Sequence, residues 1–221
     1  MGILNHGGAF TFGSSPYETF YIGCPMHPPI IMPTEKSILY FEQIGEENTD
    51  ETLKISKSRA DELGINDIVV ASTRGGTGIK ASEVFKGYNL VVVTHTTRFK
   101  EPGHQQLSDE NHEKIEPNGG KIPTTSHAFA GVSRAMRRKL DTVGPAAIVA
   151  QTLRMFGQGM KVVVECAYMA ADAGLIPMDR DIVSIAGSGK GADTAVVLKP
   201  SHLHTMFDLY VKEIIAKPNP A

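Results

Sequence analysis

From Lys36 onward, short apolar runs alternate with amphipathic stretches punctuated by Gly and Pro. Runs of 4–8 residues rich in Val and Ile predict strands, and apolar positions recurring every three to four residues predict helices. Strands are therefore expected at Ser37–Phe41, Ile68–Ala71, Leu90–Val93, Asp181–Ala186, Thr194–Leu198 and Leu209–Ile215, with Lys121-Ile122-Pro123 as a further extended run. A helix is expected from Asn48 to Leu63, with Asn48 and Glu51 forming a capping box and Gly64 as its C-cap. The glycine loop after Ala71 opens a helix-compatible segment through Phe85, and Ser108 is placed to cap a charged helix ending before Pro117. Val132–Leu140 and a segment opened by Pro145 follow, and Gly157 and Gly159 separate the latter from a helix over Met160–Ala173. Strands alternating with helices, then a closing strand pair, predict a three-layer α/β fold with a mostly parallel sheet and an antiparallel edge.

The ends of four predicted strands share an unusual composition. Ile68–Ala71 runs into Ser72-Thr73-Arg74-Gly75-Gly76-Thr77-Gly78, and Leu90–Val93 into Thr94-His95. Lys121-Ile122-Pro123 leads to Thr124-Thr125-Ser126-His127, and the strand ending at Ala186 to Gly187-Ser188-Gly189-Lys190-Gly191-Ala192-Asp193. In an open parallel sheet these ends line one rim, which is where ligands bind. A Gly loop leading into a helix N-terminus presents free N–H donors and a partial positive charge, so the loop at Thr73–Gly78 fits an anion such as phosphate. Arg74 or Lys80 adds charge, and Thr73 and Thr77 add hydroxyl donors. The competing reading is a tight turn that needs Gly only for its dihedrals.

Residues 1–34 form a different segment. They hold one charged side chain, Glu18, among Gly, aromatic residues and Pro16, Pro25, Pro28, Pro29 and Pro33. The expected division is an irregular arm over 1–34 and a single α/β ligand-binding domain over 35–221. Phe10, Phe12, Tyr17, Phe20, Tyr21 and Ile22 give the arm apolar surface to bury, so a homo-oligomer is expected. Cys24-Pro25-Met26-His27-Pro28 has the core of a soft-metal-binding module, but the second cysteine pair of such modules is missing, so no metal site is expected.

The 221 residues are 41% hydrophobic, enough for one core, and the formal net charge is −2. That balance gives no drive toward nucleic acid or an anionic membrane. No apolar run approaches a membrane span, and no basic segment precedes an apolar one at the N-terminus. Two distant cysteines make no disulfide framework, so a cytoplasmic location is expected.

From about Lys36 to the C-terminus the chain resembles a family of small stand-alone proteins similar to the C-terminal α/β domain of pyruvate kinase. The resemblance rests on Glu47-Asn48-Thr49, Glu51-Thr52-Leu53, Val69-Val70-Ala71-Ser72 with its Gly-Thr loop, and Ser126-His127. It continues through Arg137-Arg138-Lys139-Leu140, Leu153-Arg154, Gly157-Gln158-Gly159, Ala170-Ala171-Asp172-Ala173-Gly174 and the block Lys190 to Ala195. In pyruvate kinase this domain is not catalytic, and its loop after the first strand holds the phosphate of an allosteric sugar bisphosphate; Thr73–Gly78 take the equivalent place. The resemblance implies flavin mononucleotide (FMN) as a cofactor, because the stand-alone family is associated with it.

Other motifs read more plainly. Gly187 to Ala192 fits a dinucleotide fingerprint but precedes a strand, so that reading fails, and Lys190 lacks the Ser or Thr of a P-loop. A second ligand-facing loop is expected instead, with Lys190 near an anion and Asp193 accepting hydroxyl protons. Met160, Val163, Val164, Ala167, Ala170 and Ala171 form a core stripe. Glu165 and Asp172 are read as solvated or paired with Arg134, Arg137 or Arg138, and the basic run Arg134–Lys139 as salt-bridged or interfacial rather than as a phosphate clamp.

The expected ligand site thus comprises Ser72, Thr73, Arg74, Gly75, Gly76, Thr77, Gly78, Thr94, His95, Gly187, Ser188, Gly189, Lys190, Gly191 and Asp193. His127 is the candidate acid–base group. Two functions compete: an FMN-binding protein of unassigned reaction, and a non-catalytic sensor of a phosphosugar or nucleotide.

Overall fold

Period-two apolar runs settle into a sheet whose two faces are both covered. The computed structural model describes residues 33–97 and 99–220. The elements are β1 (Leu39–Phe41), α1 (Thr49–Leu63), β2 (Asp67–Ala71), α2 (Gly76–Val84), β3 (Asn89–Val93), α3 (Asp109–Ile115), α4 (Gly131–Leu140), α5 (Pro145–Arg154), α6 (Gln158–Asp172), β4 (Ile182–Ala186), β5 (Thr194–Lys199) and β6 (Tyr210–Pro218). The strands lie in the order β1-β6-β5-β4-β2-β3. β2 pairs parallel to both β3 and β4, and β1 pairs parallel to β6. β5 runs antiparallel to its neighbours β4 and β6, so the antiparallel pairing lies toward the β1 side of a mostly parallel sheet.

Alternate side chains feed two cores. Val69, Val91, Ile182 and Val196 face one cluster, with Val163, Val164, Ala167 and Ala170 of α6 packed over them. Ile68, Val70, Leu90, Val92 and Ile185 face the other, beneath Leu53 of α1, Ala81 of α2 and Phe85 at the C-cap of α2. The fold is thus the expected three-layer α/β sandwich, and Ser37–Ala221 forms one compact unit. Apart from Pro33 and Thr34, the arm expected over 1–34, with its Cys-Pro-Met-His segment, lies outside the described residues.

Most element ends follow the expected signals. Gly64 closes α1 in the left-handed region at φ 66°. Ser108 Oγ accepts the Asn111 N–H at 3.3 Å and starts α3, and Pro145 opens α5. The capping box is a correction. Asn48 has helical dihedrals at the end of a 3-10 turn over Glu46–Asn48, and its Nδ2 donates to the Gln43 carbonyl at 2.8 Å. A residue already turned into the helix cannot fold its side chain back onto the first N–H groups. Lys121-Ile122-Pro123 contributes one parallel bridge, Val91 to Lys121, rather than a strand. It still extends the sheet beyond β3, because Lys121 N–H donates to Leu90 and Val92 N–H to the Lys121 carbonyl. Among the described residues no helix is long and apolar enough to cross a membrane.

Candidate functional site

The carboxyl ends of β2, β3 and β4 and the run after Lys121 point to the same rim, where they open a cleft of about 690 Å³. That volume lies within the range of small-molecule sites. Of the expected residues, Ser72, Thr73, Arg74, Gly76, Thr77, Thr94, His95, His127, Gly187, Gly189, Lys190 and Gly191 line it. α4, α5 and α6 supply the opposite wall.

The loop after β2 is built from its donors outward. Ser72 N–H donates to the Val93 carbonyl at 2.9 Å, which fixes the loop to β3. Ser72 Oγ accepts the buried Gly78 N–H at 2.9 Å, so its hydroxyl caps α2 rather than facing a ligand. Ile79 N–H returns to the Gly75 carbonyl, which leaves the Gly76 and Thr77 N–H groups without a partner among the described residues. These two donors lie at the positive end of α2.

The glycines divide by role. Gly75 has φ 101°, and a Cβ there would stand 2.6 Å from Asn111 Cβ, so both backbone and space require Gly. A Cβ on Gly78 would stand 2.7 Å from Val92 Cγ1 and 3.0 Å from Ile115 Cδ1. Gly78 thus brings α2 close to the sheet and does not face the cleft, which corrects its expected ligand role. Gly76 alone of the three has nothing within 4 Å of a Cβ.

The second glycine loop is also partly structural. Asp193 is fully buried, and its carboxylate accepts from Gly45 N–H at 3.3 Å, Ser188 N–H at 3.1 Å and Thr194 Oγ1 at 2.8 Å. Those bonds tie the loop to the chain after β1 and take up the lone pairs assigned to ligand hydroxyls, so Asp193 is a loop anchor. Ser188 Oγ also turns toward Asp193, at 3.3 Å, and Ser188 does not line the cleft. Gly187 packs against the Gly191 carbonyl across the loop, and Gly191 packs against Thr49. Lys190 and Gly189 remain on the cleft. Lys80, an alternative to Arg74 as the cation, instead pairs with Asp50 at 2.7 Å.

The far wall holds what the sequence reading assigned elsewhere. Arg134 and Arg137 of α4 line the cleft with Arg154, Lys161 and Lys100. Neither Arg134 nor Arg137 joins an ion pair among the described residues; the Arg134 guanidinium lies 4.5 Å from the Phe99 ring centroid. Arg154 Nε donates to Gln158 at 2.7 Å. Glu165 is neither solvated nor paired with these arginines. It is buried in α6, pairs with Lys161 one turn away, and accepts the Phe129 N–H at 2.9 Å. Burial works against its ionisation, but His127, Lys161 and the Phe129 N–H outweigh it and hold the carboxyl at about 2. Asp172, by contrast, faces His202 Nδ1 at 3.1 Å, away from the cleft.

The two histidines meet near this wall. His127 Nδ1 lies 3.6 Å from Glu165 Oε2, an ion-pair distance. Its Nε2 is buried without a hydrogen-bond partner among the described residues. His95 Nδ1 bonds Gln106 Oε1 at 2.9 Å, and Thr94 Oγ1 bonds Thr124 Oγ1 at 2.8 Å. The imidazole rings are 4.9 Å apart, and Phe99 stacks on His127 at 5.3 Å with 23° between planes. Burial lowers the pKa of His95, with the Gln106 bond working against that shift. Cys166 also lines the cleft, and burial raises its thiol to about 12, which keeps it protonated.

The charged lining of the cleft is largely cationic, with Arg74, Lys100, Arg134, Arg137, Arg154, Lys161 and Lys190 set against Glu46 and Glu165. Lys161 and Glu165 had a legible signal: a Lys and a Glu at i and i+4 interrupt an otherwise apolar helix. Phe99 and Gln106 had none, because an irregular segment brings them to the rim. The family described as pyruvate kinase, alpha/beta domain, matches residues 50–198, which span β2 to β5 and every loop of the rim. The chain belongs to the pyruvate kinase alpha/beta domain family.

Proposed function

We propose that the cleft binds a phosphate-bearing ligand, with FMN as the first candidate. What supports this reading is the convergence on one cleft of Arg74, Arg134, Arg137 and Lys190, which join no ion pair among the described residues, with the Gly76 and Thr77 N–H groups, which have no partner among them. Charged groups left without counterions around a concavity favour a ligand that brings negative charge. The phosphate belongs at Thr73, Arg74, Gly76 and Thr77, where backbone donors and the helix terminus act together.

The rest of the cleft also suits FMN. Ala71, Val93, Phe129, Ala150, Cys166 and Met169 give it an apolar part, and Phe99, His95 and His127 give it flat surfaces for a ring. When bound, a flavin supplies hydride or one-electron transfer. The chain's own contribution is to hold the phosphate, exclude water from the apolar part and keep His127 beside it as the acid–base group.

Titration of the purified full chain with FMN tests this, read as quenching of flavin fluorescence. Saturable quenching, reduced when Arg74 is replaced by Ala, is the expected result. A colourless protein that ignores FMN but gains thermal stability from a phosphosugar or nucleotide would replace the flavin reading with the sensor.

A further inference from the structure

Helix α4 packs on very little among the described residues. None of its ten residues is buried, and only Ser133 and Arg134 are partly covered. A helix this short is marginal in water by itself and takes its stability from the packing of an apolar face. α4 has such a face. Val132, Met136 and Leu140 recur every four residues, and Val132 is 75% and Leu140 63% exposed. Val143 follows in the turn to α5, and α5 presents Ile148, Thr152 and Met155 at helical spacing before Phe156, all exposed.

The size and composition of this surface narrow what covers it. The exposed surface of these seven apolar residues is on the order of the ~800 Å² that each partner contributes to a standard interface. Apolar residues scattered singly over a monomer need no partner, but stripes on two consecutive helices do. The α5 stripe carries no charge, and the surface as a whole includes two Met and one Phe. Depletion of charge with enrichment of Met and aromatic residues is the composition of an interface core, and homodimer interfaces are the more apolar ones. Two of the four cations of α4, Arg134 and Arg137, line the cleft instead of flanking the stripe. The charge that an acidic partner or an anionic membrane would require is thus directed elsewhere.

We infer that a second copy of the chain packs on the α4–α5 stripe, and that the ligand cleft is complete only in this dimer. The link is α4 itself, because Arg134 and Arg137 reach the cleft from the helix that the second copy covers. Uncovered, a helix with so few packed contacts opens locally and takes both guanidinium groups with it. Covered, it holds them at the cleft wall. A ligand that uses them then strengthens the dimer by the same factor by which dimerisation strengthens the ligand. Only this coupling rests on the proposed anion site; the covered stripe stands without a ligand.

The test combines analytical ultracentrifugation, hydrogen exchange and FMN fluorescence quenching on the full chain, with wild type set against Met136→Glu and Ile148→Glu. Neither residue lines the cleft and both are exposed, so circular dichroism should show the fold retained in each variant. The wild type should be a dimer with protected α4 amides. Each variant should be a monomer in which α4 amides exchange rapidly while those of β2 and β3 stay protected, and FMN should bind it at least about fivefold more weakly. A monomeric wild type with protected α4 amides would overturn the inference, since the stripe is then covered from within the chain. So would variants that stay dimeric, or monomeric variants that bind FMN as tightly as wild type. FMN that binds neither wild type nor variants, with α4 protection still following the mass, would remove the phosphate reading and leave the interface in place.

Discussion

Glu165 keeps a negative charge inside the protein because three partners converge on it: Lys161, the Phe129 N–H and His127. Its pKa in the folded chain is about 2, against an ordinary 4.5, so it adds stability above pH 4.5 and loses it as pH falls toward 2. Urea midpoints of the wild type should therefore drop across that window, and those of Glu165→Gln should drop less. At pH 7 the same variant should be less stable by about 3–5 kcal/mol, because it leaves Lys161 buried without a counter-charge. Equal midpoints for the two proteins at pH 7 would mean that the pair contributes nothing. Much of the site was legible at this scale: Thr73, Arg74, Gly76, Thr77, Thr94, His95, His127 and Lys190 all reach the cleft from strand ends that the apolar pattern located. Glu165 was assigned to solvent or to the arginines despite its i, i+4 spacing to Lys161, because a carboxylate among apolar residues reads as a solvated edge until the partners that reach it from Lys161 and His127 are placed. Asp193 misled for the converse reason. Its polar character at a loop suggested ligand contact, while its lone pairs were already taken by Gly45, Ser188 and Thr194.

The element that sets the proposed phosphate site is α2 with the loop before it. Two of its glycines make opposite predictions. Gly78→Ala places a methyl 2.7 Å from Val92 Cγ1, and overpacking of this kind costs about 1–3 kcal/mol. It should lower the thermal midpoint, since α2 must lift from β3. A Cβ at Gly76 meets no atom within 4 Å, so in Gly76→Val the fold and melting temperature should stay near wild type. Its branched side chain stands beside the free Gly76 and Thr77 donors, and FMN affinity should fall at least about tenfold, equivalent to roughly 1.4 kcal/mol. Unchanged FMN binding in Gly76→Val, measured by fluorescence quenching, would reduce the loop to a turn. Sequence pattern located this strand–loop–helix unit because its signals are local: a β-branched run, a glycine cluster, a helix-compatible stretch. It misplaced α4's role because Arg134 and Arg137 are cleft residues only by virtue of how α4 packs against α5, which no local spacing records. The Asn48 capping box failed on a similar point, since the 3-10 turn over Glu46–Asn48 had no distinct sequence signature.

At the scale of the whole molecule, α4 and α5 leave an apolar surface. Val132, Met136 and Leu140 recur one turn apart on α4, and Ile148, Met155 and Phe156 follow, all exposed. Such surface is expected to be covered by a second copy, so light scattering of the full chain should give a mass above that of one chain; a monomer mass would contradict it. The sheet order, with β5 reversed between β4 and β6, places the cleft on the rim where β2, β3 and β4 end together. The proposed function has this largely cationic rim take its counter-charge from a ligand. The most direct measurement is a side-by-side titration of the purified protein with FMN and with riboflavin, which carries the same ring without the phosphate. FMN is expected to bind, and riboflavin to bind at least about tenfold more weakly, a gap that narrows as salt screens the phosphate contacts. Equal affinity for the two, or no binding of either, would contradict it.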